Sequence, residues 1–295
     1  MPATPSISVA LGVVPGYELL DSGNRYKLER FGPVIVIRGE PKAWWAPALP
    51  AAAWDKAQAI HEEGEGWQLA PGCPTQWTLP VDDLLFRLKI SDTSKHLGLF
   101  PEQAPHWALI RRAGAAAATA SQPPRLLNLF GYTGAATLAA AAAGWHPTHV
   151  DASKPAIAWA RENQSLSHLE TRPIRWILED AVKYVQRELR RGSRYEGILL
   201  DPPAFGRGPG GGVWKVEHHL ADLLRLCVQL LSPDARLLVL TTYNIEASSL
   251  MLLDLLRDLP FPKGGTFAAG ELALPHAASP ARLLPLSIYA TWSRL

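Results

Sequence analysis

Cysteine is almost missing: Cys73 and Cys227 are the two in 295 residues. So few exclude a disulfide framework and a cysteine-built zinc site. Long apolar runs are missing too. None approaches the about 18 residues of a membrane-spanning helix, so no membrane partner is expected. The first twenty residues lack a basic start, and Pro5 and Pro15 interrupt their apolar run, so no secretory leader is read there. The expected address is cytoplasmic. Charge of one sign is scarce as well. The net charge is +2, with 11 basic against 12 acidic residues through Pro123 and 18 against 15 after it. Neither part carries the strong basic footprint of a protein that grips nucleic acid chiefly through phosphates.

What is present is an ordinary globular balance, with 47% hydrophobic and 19% charged residues, enough for one large domain or two ordinary ones. The 26 prolines imply many stiff turns, and the 11 tryptophans a large aromatic complement for packing or stacking. No internal repeat is found.

The pattern divides the chain in three. Residues 1–16 read as a loose lead-in. Residues 17–120 read as a small β-rich domain with a connecting helix. In it, Tyr17–Leu20 and Tyr26–Arg30 flank a hairpin turn at 21–24, Val34–Arg38 follows as a strand, and 43–50 is irregular. Trp54–His61 reads as a short helix, 62–66 as a polar loop, and Trp77–Pro80 and Leu84–Ile90 as strands. A helix from near Pro105 is expected to reach about Ala120, where 121–124 breaks it. Residues 124–295 then alternate strand and helix, the mark of a largely parallel α/β sheet. Seven strands are expected, closing in an antiparallel pair, Phe267–Leu274 and Leu284–Trp292, joined by a loop too short for a crossover helix.

The stretch around which this domain is organised is 126–135. An apolar run, Leu126 to Phe130, stops at Gly131, and Thr133, Gly134 and an alanine-rich helix follow. Such a turn brings backbone N–H groups and a helix N-terminus to the carboxyl edge of a sheet, where open α/β folds bind ligands. Three acids end later strands: Asp151, Asp180 and Asp201. Each could merely cap the next helix. Taken in order behind the glycine turn, they point to a nucleotide-like ligand. Gly131 and Gly134 allow close approach, and Asn128 and Thr133 can bond an amino-acid end. Asp151 can accept ribose hydroxyls, and Asp180 an adenine amine with Ala181 leaving room for the ring. The turn lacks a full G-x-G-x-x-G, which counts against NAD.

The most specific signal is 201–205. Two prolines after a buried strand stiffen the turn, which leaves carbonyls and the Asp201 carboxylate as acceptors for an exocyclic amine, with Phe205 to stack on its ring. The alternative is a rigid strand–loop corner. Five glycines in 206–212 then read either as a mobile lid, with Arg207, Trp214 and Lys215 offered to substrate, or as a flexible surface loop anchored by Trp214. The basic cluster Lys183, Arg187, Arg190, Arg191 and Arg194 could face RNA, but complements a helix dipole more simply. His218 and His219 have no identifiable partners for a metal, so no metal is expected. Cys227 reads as a core residue.

These motifs resemble the class I methyltransferases that use S-adenosylmethionine (SAM), whose seven-stranded Rossmann-like sheet ends in an antiparallel hairpin. More narrowly, they resemble the bacterial ribosomal-RNA large-subunit methyltransferases that make 5-methylcytosine or N2-methylguanine. Residues 26–32 and the strand after them are similar to that family's small β domain, and 97–103 to its lead-in segment. The resemblance implies SAM as cofactor, held by Phe100, Asn128, Phe130, Gly131, Thr133, Gly134, Asp151, Asp180, Ala181 and Asp201. It implies chemistry at Asp201, Pro202, Pro203 and Phe205. Two features depart from it. The family's N-terminal RNA-binding PUA module is not expected, and the nucleophilic cysteine that 5-methylcytosine formation needs near the end of the fifth strand is replaced by Thr241-Thr-Tyr-Asn-Ile245. The expectation is therefore methylation of a nitrogen or oxygen, in RNA or in a small molecule. A non-catalytic SAM-binding or RNA-scaffold protein is a third reading. Monomer and homodimer both remain open.

Overall fold

Short apolar runs form the central strands of the large sheet, as in Gly197–Leu200 and Leu237–Thr242. The computed structural model describes residues 7–116, 122–207 and 212–295. The chain forms two compact units. The first holds the described residues of Met1–Ala10 with His106–Glu271 and Ser287–Leu295, and the second holds Leu11–Pro105 and Leu272–Leu286.

The described residues begin with β1 (Ile7–Leu11), and the second unit follows. Its strands are β2 (Tyr17–Gly23), β3 (Tyr26–Phe31) and β4 (Val34–Gly39); after the short α1 (Ala51–Trp54) come β5 (Ala59–Glu62), β6 (Gly66–Leu69), β7 (Gln76–Val81) and β8 (Leu84–Lys89). β2 to β6 form one five-stranded sheet in that order, and β7 pairs with β8. Phe31, Val34, Val36, Leu79, Phe86 and Leu88 are buried. Two readings need correction. The β2–β3 turn is the two-residue Asn24–Arg25, because Gly23 pairs with Tyr26. The segment expected as helix up to His61 ends instead in β5, where Ala59, Ile60 and His61 pair parallel with Val36, Ile37 and Arg38. Tertiary pairing overrides local propensity there.

A 3-10 turn (Pro101–Gln103) leads to α2 (Ala104–Ala115), and the expected continuation to Ala120 runs into 117–121, outside the described residues. The alternating region follows as β9 (Arg125–Leu129), α3 (Ala135–Ala142), β10 (His146–Asp151), α4 (Lys154–Leu166), β11 (Arg175–Leu178), α5 (Ala181–Arg190) and β12 (Gly197–Leu200). A small hairpin, β13 (Phe205–Arg207) and β14 (Val213–Lys215), precedes α6 (Val216–Gln229), β15 (Leu237–Thr242), α7 (Ser249–Arg257), β16 (Thr266–Pro275) and β17 (Leu283–Ser293).

The large sheet has the order β1-β16-β17-β15-β12-β9-β10-β11. β11, β10, β9, β12 and β15 run parallel, and β17 runs antiparallel to β15. The expected seven strands are there, with an eighth at the edge. β1, read as part of a lead-in, pairs with β16 far along the chain, and no local pattern announces such a partner.

Both faces of the sheet are covered. Leu127, Leu129, Ile198, Leu200, Leu238 and Leu240 pack with Tyr184, Leu223 and Leu224 of α5 and α6. The alternate residues Leu126, Leu199, Leu237 and Val239 pack with Ile110, Ala113 and Trp145. Strands buried on both faces explain the continuous apolar runs in the sequence.

Candidate functional site

Register brings the sequence motifs to one edge. Leu129 stands opposite both Val150 and Leu200, and Asp151 stands opposite Leu178. The 130–134 turn, Asp151, Asp180 and Asp201 therefore emerge together at the carboxyl ends of β9 to β12. Strand order reverses at β9, with β10 on one side and β12 on the other, and such a reversal opens a crevice for ligand.

The turn after β9 is tightly built. Phe130 (φ 58°) and Tyr132 (φ 49°) take left-handed backbone angles unusual for residues with side chains, and Gly134 has φ 87°. Gly131 donates to the Val150 carbonyl at 3.1 Å and Gly134 to the Gly131 carbonyl at 3.0 Å. A Cβ on Gly131 would lie 2.4 Å from the His149 ring, so glycine is required there by space. Gly134 is the N-cap of α3 and brings no side chain to the helix amides. Those amides are open to a ligand's carboxylate.

Beneath the turn lies a buried polar chain. The Asn128 amide donates to Thr137 Oγ1 at 2.8 Å, and Thr137 Oγ1 lies 2.9 Å from His149 Nδ1. The Thr137 hydroxyl thus links the Asn128 amide to the imidazole. Burial holds the His149 pKa at about 3, so the ring is neutral. On the next helix, Asn163 donates to the Thr133 carbonyl at 2.9 Å. Asn128 was expected to touch the ligand, but its amide is engaged under the turn and it is buried. Thr133 is likewise buried.

The two acids that follow differ. Asp151 accepts from the Tyr132 amide (2.8 Å, Oδ2) and the Ser153 amide (2.8 Å, Oδ1). Burial raises its pKa, and the backbone donors only partly offset this. It does not cap α4, because Ser153 does. Each carboxylate oxygen keeps further acceptor capacity, which suits a pair of sugar hydroxyls. Asp180 caps α5, accepting from the Lys183 amide at 3.0 Å, so the simpler reading holds for that oxygen. Ala181, the first residue of α5, is buried.

At the end of β12, Asp201 is half-buried with Oδ1 closed off from solvent, Pro202 is buried, Pro203 is exposed and Phe205 is 55% exposed. The loop is pinned from within: Trp214 Nε1 donates to the Pro203 carbonyl at 2.7 Å, and the Val216 amide to the Ala204 carbonyl at 3.0 Å. These two carbonyls, expected to face an acceptor, are engaged inside the protein. Trp214 also departs from expectation. It is buried, lies 5.3 Å from Phe130 between ring centroids, and stacks on His219 at 5.5 Å. It ties the 201–205 loop to the glycine turn. The ends of the glycine-rich stretch pair as β13 and β14, with Arg207 opposite Val213 and Lys215 exposed; the centre of the expected lid, 208–211, lies outside the described residues.

Phe100 belongs to the second unit, where it precedes the 3-10 turn and packs on His96 at 5.0 Å. In the basic cluster, Arg187 pairs with Glu179 at 2.9 Å and Arg191 with Glu188 at 3.0 Å. α5 starts at the carboxyl edge, so its basic C-terminal end lies at the opposite edge of the sheet from the site. Among the described residues, no metal-binding group of His, Cys, Asp and Glu is found. Nor is any helix long and apolar enough to cross a membrane. Cys227 is buried, and burial pushes its thiol pKa up.

Comparison with known proteins decides the family. No family model matches the chain. A crystal structure of a SAM-dependent methyltransferase from Agrobacterium tumefaciens superposes with TM-score 0.92 and 44% sequence identity, covering 99% of this chain and 95% of that one. The chain belongs to the SAM-dependent methyltransferases. Its cofactor is SAM, and the open helix amides, the glycine cradle and the Asp151 carboxylate fit the methionine and ribose ends of that molecule. Among curated relatives, the methyltransferase is 34% identical over 186 residues to the ribosomal RNA large subunit methyltransferase K/L of Chromohalobacter salexigens, 62% of this chain and 22% of that protein. It is 26% identical over 205 residues to the ribosomal RNA large subunit methyltransferase I of Salmonella arizonae, 68% of this chain and 49% of that protein. The chain thus spans half or less of the length of these curated relatives.

Proposed function

We propose that this methyltransferase transfers the methyl group of SAM to a nitrogen or oxygen of a base in RNA, with ribosomal RNA the leading substrate and the cytoplasm its place of action. The observation that carries the reading is the juxtaposition of the glycine turn and Asp201 at the ends of adjacent strands, Leu129 opposite Leu200. Relatives named for ribosomal RNA support the substrate class. Thr241 and Thr242, buried at the end of β15, offer no thiolate for addition to a cytosine ring, which favours a heteroatom acceptor.

Bound SAM supplies an electrophilic methyl group for in-line displacement. The chain's own residues then have to hold and align. Gly131, Gly134 and the amides of α3 take the methionine end, Asp151 the ribose hydroxyls, and Asp180 and Ala181 the adenine, with Phe130 alongside. Asp201 accepts from the acceptor's N–H, Pro202 and Pro203 fix that carboxylate's direction, and exposed Phe205 stacks on the base. Lys215 flanks the acceptor. Proximity and orientation carry much of the acceleration in such a site, and the target base must be extruded to reach it.

A small-molecule acceptor is the second reading, and the net charge of +2 favours it. Transfer of labelled methyl from SAM to undermodified total RNA, beside a small-molecule extract, separates the two. Label in the RNA supports the proposal. Label confined to the extract overturns it.

A further inference from the structure

We infer that the second unit carries a nucleobase-stacking platform, built from Trp44 and Arg25, for a single-stranded segment of RNA. The inference rests on the RNA reading above and extends it to a surface that the cofactor and acceptor motifs do not use.

Trp44 is 78% exposed, the most exposed of the chain's large hydrophobic side chains among the described residues. Exposure alone would mean little. Here the loop that displays it is held from several directions. The carboxylate of buried Asp21 accepts from the amides of Ala48 (3.2 Å) and Leu49 (2.7 Å) and from Trp54 Nε1 (3.3 Å). The two residues of the β2–β3 turn grip the loop on either side of Trp44: the Asn24 amide donates to the Trp45 carbonyl and the Arg25 amide to the Ala43 carbonyl, each at 2.7 Å. Both turn residues hold positive φ, 50° and 69°, to do so. Trp45 Nε1 donates to the Ser22 carbonyl at 2.9 Å. Gly23 admits the loop so closely that a Cβ would lie 2.3 Å from Pro47 N.

The Trp44 ring is fixed as well. Its Nε1 donates to the Pro41 carbonyl at 2.7 Å, so the ring has no donor left to satisfy and its orientation is set before any partner arrives. The Arg25 guanidinium lies 5.9 Å from the ring centroid. Behind it, Arg282 lies 5.6 Å from the Trp45 ring and donates to the Ala46 carbonyl at 3.2 Å, and Lys42 reaches the Leu286 carbonyl. The platform is therefore a rigid aromatic face in cationic surroundings. An apolar protein surface would want a contiguous apolar patch; a base wants a π-face, and its phosphate wants a cation. Pre-organisation lowers the ordering cost of binding.

The test uses the full chain, SAM, undermodified RNA and a labelled mixed-sequence single-stranded RNA of about 12 nucleotides, within the usual site range of such surfaces. Trp44→Ala is expected to weaken the oligonucleotide about 5- to 150-fold and to raise KM for RNA, with kcat and SAM affinity unchanged. Trp44→Phe keeps most of the affinity. Arg25→Gln lowers the salt dependence of binding by about one phosphate contact, a slope change near 0.7. If Trp44→Ala binds the oligonucleotide and methylates RNA like the wild type, the platform is overturned while the RNA reading stands. If the wild type neither binds nor methylates RNA, both fall. If Trp44→Ala loses a protein partner and leaves RNA binding intact, the surface is a protein contact and the inference fails.

Discussion

Trp214 reaches across its hairpin and donates its indole N–H to the carbonyl of Pro203 at 2.7 Å. Its ring also rests against Phe130 in the glycine turn. One buried side chain therefore ties the loop proposed to hold the acceptor to the loop proposed to hold the cofactor. Trp214→Phe keeps a ring and removes the donor. It is expected to destabilise the protein by about 1 kcal/mol and to lower kcat more than SAM affinity. Paired melting curves and steady-state kinetics read both, and an unchanged kcat would show that the tie has no part in the reaction.

Gly131 and His149 compete for one space. Gly131→Ala would set its Cβ 2.4 Å from the imidazole. The expected result is a loss of about 1–3 kcal/mol with much weaker SAM binding. His149→Ala, which empties the space and removes Thr137's partner, should cost about 2–4 kcal/mol. The double variant should be more stable than the sum predicts, because the smaller residue accommodates the added methyl. Strict additivity in a double-mutant cycle would contradict this geometry.

Asp180 has a structural duty and a proposed binding duty, and two substitutions separate them. Asp180→Ala removes the α5 cap and is expected to cost about 1 kcal/mol. Asp180→Ser restores the cap without the carboxylate. If the carboxylate meets the adenine, both variants lose SAM affinity in calorimetry and only the alanine variant loses stability. Wild-type affinity in the serine variant would leave Asp180 as a cap alone.

In the second unit, buried Glu29 takes two hydrogen bonds from Arg38, at 2.7 and 2.8 Å. Burial by itself would raise the carboxyl pKa, but Arg38, Lys27 and the hydrogen bonds outweigh it and hold the pKa at about 2, below the ordinary 4.5. A folded-state pKa below the unfolded one gives stability that is full above about pH 4.5 and is lost as pH falls toward 2. Glu29→Gln should therefore be destabilised by about 3–5 kcal/mol near neutrality, leaving Arg38 buried beside a neutral group. The gap to wild type should narrow on acidification through that window. A gap independent of pH would contradict the pairing.

The parallel sheet was legible where its central strands β12 and β15 are fully buried and carry apolar runs, and the 130–134 turn because glycine ends the run of β9. β1 was not legible. Ile7, Val9 and Leu11 alternate with small residues, but the partner that makes them a strand is β16, at the far end of the chain. Asn128 was read as a ligand contact and His149 was not singled out; their link through Thr137 is a tertiary fact. Trp214 looked like a substrate contact because it follows a glycine-rich loop; it is buried instead, in one cluster with Leu220, Leu223 and Leu224 of α6. Trp44 sat in a stretch expected to be irregular. What the sequence did not reveal is that the β2–β3 turn holds that stretch in one shape.

The central claim is transfer of a methyl group from SAM to a base heteroatom at Asp201. The most direct measurement is mass spectrometry of nucleosides digested from undermodified RNA after incubation with SAM and either the wild type or Asp201→Ala. One N- or O-methylated nucleoside is expected with the wild type, and its loss with a folded Asp201→Ala variant that still binds SAM. 5-Methylcytosine as the product, or a methylated nucleoside formed equally by the variant, would contradict it.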